Sequence, residues 1–160
     1  MQTESRARRV RCSFPESMEQ DWLHEIARSL EMDFPETRGQ ASYLAEKLAA
    51  LILLRLPAES ARRLMDLLPP HARDRHPEMR TCADSEADRS VGYASLVEKA
   101  SITLSFHEGL PEESLDEYAR QMTDFFLQQL AFSLPSEFHD DLRRSLPADL
   151  KQRMVLRRVA

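Results

Sequence analysis

The chain has 160 residues, 42% of them hydrophobic and 31% charged, and a net charge of −5. Those proportions exclude a disordered composition, and a chain this long buries enough surface to fold without disulfides or metal. The acidic balance excludes a global attraction to nucleic acid or anionic lipid, and the longest apolar run, Leu48 to Leu54, is far below the ~20 residues of a membrane span.

Residues 1–16 read as a flexible basic arm: Arg6, Arg8, Arg9 and Arg11 supply charge, and no apolar period is visible. No apolar segment follows them, so no secretory signal is expected. Ser17 to Gln20 fits a capping box, with a hydroxyl at the cap and an amide three residues later. A helix is predicted from about Met18 to Glu31, with Trp22, Leu23, Ile26, Ala27 and Leu30 on its buried stripe. Pro35 disfavours helix at the residue before it and makes a connector.

Thr37 to Gln40 is a second capping-box fit, and the next helix should run from Arg38 to about Arg55. Ala41, Leu44, Ala45, Leu48, Leu51, Ile52 and Leu56 share one face, which Tyr43, Ala50, Leu53 and Leu54 widen. A helix apolar most of the way round is expected at the centre of a fold. Pro57 stops it and opens a short helix on which Leu64, Leu67 and Leu68 face inward, flanked by Ala61 and Met65. Residues 71–76 suggest one further turn. Residues 77–89 show no apolar period and are predicted to be a linker.

A second helical series starts near Ser90. Tyr93, Leu96, Val97, Ala100 and Leu104 form its first stripe, and Ser114 to Glu117 is a third capping-box fit. The long helix that follows should end near Ser133. The short helix after Pro135 carries Phe138, Leu142 and Leu146, and a last helix after Pro147 buries Leu150, Met154 and Val155.

The two series match. Leu56 to Pro69, LPAESARRLMDLLP, returns as Leu134 to Pro147, LPSEFHDDLRRSLP, at an offset of 78. Ala119, Met122, Phe126, Leu130 and Leu134 answer Ala41, Leu44, Leu48, Ile52 and Leu56 at the same offset. Fixed-period self-similarity sets an architecture. The expected fold is all-α, a bundle of about six to eight helices in two tandem three-helix repeats (17–76 and 90–160) with an internal pseudo-two-fold. Each repeat has too little apolar surface to close alone, so the two long helices are expected to pack together in one domain.

The pattern LPxExxxxLxxxLP after a long apolar helix, given twice, resembles a bacterial family known as domain of unknown function 2267, over roughly residues 17–155. The resemblance implies a small, duplicated, all-helical protein and carries no catalytic residues to transfer. The arginine-rich arm and the linker length depart from the family's pattern.

Site signals are few. His71, His76 and Cys82, with Glu78 between, are the cluster of soft ligands, but their spacing matches no zinc signature and they are expected to be solvated loop residues. The two cysteines, Cys12 and Cys82, lie far apart, and a reduced, cytoplasmic chain is the plain reading. Glu108, Glu112, Glu113, Asp116 and Glu117 suit the start of a helix by its dipole. Trp22, Phe34, Phe106, Phe125, Phe132 and Phe138 are expected in the core. Phe125 is the exception to watch: beside Phe126 on one helix, it marks a partner surface if both cannot be buried. No phosphate loop, GxSxG, HExxH or CxxC is present. The sequence therefore points to a non-enzymatic binding or scaffold module with no cofactor, engaging a protein partner or itself. The alternative is a nucleic-acid-associated regulator that uses Arg6, Arg8, Arg9 and Arg11.

Overall fold

In a computed structural model, residues 21–106 and 111–156 are described, apart from the side chain of Arg38. The described residues are all-helical: α1 (Trp22–Asp33), α2 (Ala41–Arg55), α3 (Ala58–Asp66), α4 (Pro70–Asp74), α5 (Pro77–Ala83), α6 (Tyr93–Leu104), α7 (Leu115–Ser133), α8 (Glu137–Ser145) and α9 (Ala148–Lys151). Two 3-10 turns, Pro35–Gln40 and Glu112–Ser114, precede α2 and α7. None of these helices is long and apolar enough to cross a membrane. The basic arm and the capping box at Ser17 lie outside the described residues.

Local chemistry sets most boundaries. Leu56, Leu134 and Leu146 each precede a proline, and each takes an extended backbone (ψ 154°, 146° and 146°) that ends its helix. The start of α1 falls at Trp22, later than Met18, because Asp21 accepts the His24 N–H and is the cap. Two other predicted caps do not form. Thr37 is fully buried, its hydroxyl donates back to the Phe34 carbonyl at 2.9 Å, and α2 begins only at Ala41. Ser114 precedes α7 with helical dihedrals and makes no side-chain cap. The start of α6 is capped from elsewhere in the chain, since Asp149 of α9 accepts the Tyr93 N–H at 3.1 Å. A side chain at Gly92 would crowd that carboxylate, with a Cβ placed 3.1 Å from Asp149 Oδ2.

The stripe read on α1 is buried at all five positions. On α2, Ala49, Ala50 and Leu53 are buried along with the predicted face, while Leu51 is half-buried and Tyr43 exposed. This helix is central: α1, α5 and α6 all pack on it. The contacts correct one expectation. The long helices α2 and α7 touch each other little; α1 and α6 each pack against both of them. A helix apolar over a wide arc can serve two neighbours, so the shorter helices fill the space between the long ones.

A second correction concerns 77–89. Its first seven residues form α5, with Pro77 at the first turn and Met79 and Ala83, four apart, buried against α2 and α3. With that helix the described residues hold nine, one more than the upper end of the expected six to eight. Val155 is 79% exposed rather than buried, and Leu67 is half-buried.

Trp22 ties α1 to α3. Its indole N–H donates to the Leu64 carbonyl at 3.1 Å in a buried setting. Trp22→Phe keeps most of the apolar contact and leaves that carbonyl without its donor, so chemical denaturation should show a loss of about 1–3 kcal/mol. A change below a few tenths would mean the bond contributes nothing.

Candidate docking groove

The inward stripe of α6 is Leu96, Ala100 and Leu104. Position 102 points the opposite way at 100° per residue, yet it holds isoleucine, a branched apolar side chain. Ile102 is 51% exposed, with Tyr43 of α2 at 52% and Phe106, just past α6, at 77%. All three line one groove of about 490 Å³ between α2 and α6, together with Gly39, Gln40 and Thr103. Lys47 and Lys99 stand on its walls, two of the three lysines in a chain with 19 arginines. The Lys47 ammonium sits 4.8 Å from the centre of the Tyr43 ring and pairs with Glu78 of α5. The hydrogen bond that Lys47 donates to the Glu78 carboxylate, above all, holds its proton more tightly than usual.

Phe125 is only partly covered, and its cover comes from its own chain. Phe126 is fully buried, whereas Phe125 meets the ring of Phe34 edge-on at 5.7 Å, and Tyr118 flanks Phe34 at 6.0 Å. The bare aromatic surface lies elsewhere, at Phe106 and at Phe132, which is 78% exposed. Both were expected in the core. Phe132 follows the buried Ala131 on the outer side of α7, and Phe106 lies beyond the end of α6, and both rings are more than three-quarters exposed.

The structure does not assemble His71, His76 and Cys82. His71 is exposed on α4, and His76 Nδ1 lies 3.3 Å from Glu46 Oε2. Cys82 is half-buried on α5, where burial raises its thiol pKa and disfavours the thiolate a metal would need. Among the described residues, no three His, Cys, Asp or Glu side chains converge to hold a metal ion. Glu112, Glu113, Asp116 and Glu117 are exposed; Asp116 accepts the Ser101 hydroxyl at 3.1 Å and fastens α7 to α6. Glu108 and the four arginines of the arm lie outside the described residues.

The sequence signal for the groove is weak for a physical reason. Tyr43 lies at the edge of a broad apolar face, and Ile102 lies off the stripe of Leu96, Ala100 and Leu104. An isoleucine alone on the polar side of a helix was the available signal. No family model matches the chain, and no curated protein or solved structure is detectably similar to it.

Proposed function

We propose that the protein is a non-enzymatic binding module of the bacterial cytoplasm, and that the groove between α2 and α6 is where it docks a protein surface. One observation carries this: Tyr43, Ile102 and Phe106 are half or more exposed around a single recess. Covering one such side chain is worth about 1.5–3 kcal/mol, and contiguous apolar surface is characteristic of interaction sites. Lysines on the rim add orientation, because rim charges select partners and register more than they add affinity. Ile102→Glu should leave the melting temperature of the full chain unchanged within about 2 °C, since the side chain faces water. Proteins that co-purify with the wild type from the native host should be lost with the variant. Identical captures by both would remove this groove from the function.

The doubling read from the sequence supports the placement of the groove, because α2 and α6 belong to different repeats. One contact favours that doubling. Arg63 and Asp141 lie 78 residues apart, the repeat offset, and pair with each other at 2.8 Å. Equivalent positions of two copies meet one another only near a two-fold axis, and an ion pair between them needs opposite charges at the two positions.

A second reading, association with nucleic acid, has its own observation. Arg55, Arg89 and Arg144 line a small recess of about 180 Å³ near the start of α3. Phosphate contacts by such residues, together with the arm, would be strongly salt-dependent. An electrophoretic shift at low salt, abolished by deletion of residues 1–12, is the expected result; no shift with DNA or RNA ends this reading.

A further inference from the structure

We propose that the occupant of the α2–α6 groove is a second copy of this chain, docked about a two-fold axis that runs along α6. The inference rests on the docking reading above and adds the identity of the partner.

The shape of the surface argues first. A second groove, of about 530 Å³, lies on the other flank of α6, towards α7. Ile102 lines both recesses and is the ridge between them. A two-fold along that ridge sets Ile102 of one copy on Ile102 of the other and lays each α2 flank, with its exposed Tyr43 and Phe106, over the recess on the α7 flank of the partner, so that each copy covers the other's α2–α6 groove.

Charge then selects the axis. Lys47 and Lys99 lie on the α2 flank, and Glu98 and Asp116, beside Arg120, on the α7 flank. A two-fold across α6 would set each flank against its own copy and oppose lysine with lysine. A two-fold along α6 exchanges the flanks and brings Lys99 of one copy to the acidic flank of the other. A uniformly acidic foreign helix would match the first flank and be repelled by the second. The whole chain carries −5, so two copies repel at long range and need this local pairing of opposite charges.

The test is the oligomeric state of the full chain by sedimentation velocity over a range of concentrations. The wild type should be a dimer, and Ile102→Glu a folded monomer that melts where the wild type does once diluted below its dissociation constant. Lys99→Glu and Asp116→Lys should each raise the dissociation constant about tenfold or more. An equimolar mixture of those two variants should dimerise like the wild type, because in the mixed pair every contact again joins opposite charges. A mixture that stays monomeric overturns the axis along α6. A wild type that is monomeric throughout overturns the second copy as occupant, while the docking reading survives if Ile102→Glu still loses captured partners. A dimer indifferent to Ile102→Glu overturns both. If deletion of residues 1–20 turns a monomer into a dimer, the chain's own amino-terminal segment holds the groove and the proposal fails.

Discussion

Phe126→Ala will lower the free energy of unfolding by about 3–5 kcal/mol, the cost of deleting a buried aromatic ring from a core that cannot close over the space. Phe126 has no exposed surface and lies mid-way along α7, the helix that packs against both α1 and α6. The void would therefore sit between elements that other contacts hold in place, and collapse is the least available there. For a chain of this size each kcal/mol lowers the melting temperature by roughly 2–4 °C, so a fall of about 10 °C is expected. The single tryptophan is a suitable probe, because Trp22 is buried against the same core and its emission will shift on exposure. Phe132→Ala, six residues on, is the internal control: the ring is 78% exposed and its loss should change stability by less than about 0.5 kcal/mol. Equal effects from the two would mean that α7 is rotated from the orientation described.

These two phenylalanines also mark where reading the chain works and where it stops. Phe126 could be placed because it shares a stripe with Ala119, Met122 and Leu130, and a period of 3.6 is a geometric consequence of the helix itself. All four are buried. The helix ends at Leu56, Leu134 and Leu146 could be placed because helical backbone is disfavoured at a residue before proline. Phe132 could not be placed, since burial needs a neighbour on the relevant side and the sequence does not say which sides have one. The same holds for Tyr43 and Phe106, and hence for the candidate groove, which exists because of where α6 lies against α2. Caps failed for a related reason. A threonine or serine at the right spacing can turn its hydroxyl elsewhere when tertiary packing offers a carbonyl, as Phe34 does for Thr37. The packing of α1 and α6 between the long helices was equally hidden, because two broad apolar faces can be satisfied by each other or by shorter helices between them.

Met79→Asp tests the least legible element. In a linker this substitution would be harmless, one more charge in water. In the structure Met79 is fully buried in the apolar core on α5, against α2 and α3, where a carboxylate would lie out of water. Leaving a charge buried and uncompensated costs about 3–5 kcal/mol. A seven-residue helix with two buried side chains cannot offset that, so α5 should detach before the bundle unfolds. Detachment also releases Glu78 from Lys47, a further tie between α5 and α2. Trypsin reads the outcome directly. Arg80 lies on the exposed side of α5, and its peptide bond is protected only while the helix is docked, so cleavage tracks local opening. The wild type should resist cutting after Arg80, Met79→Asp should be cut there many times faster, and Met79→Leu, which keeps the volume and polarity, should behave as the wild type. Equal, rapid cutting in all three would return 77–83 to the status of a linker. The core would then lose Met79 and Ala83, and the lysine at the groove wall would lose the carboxylate that holds it.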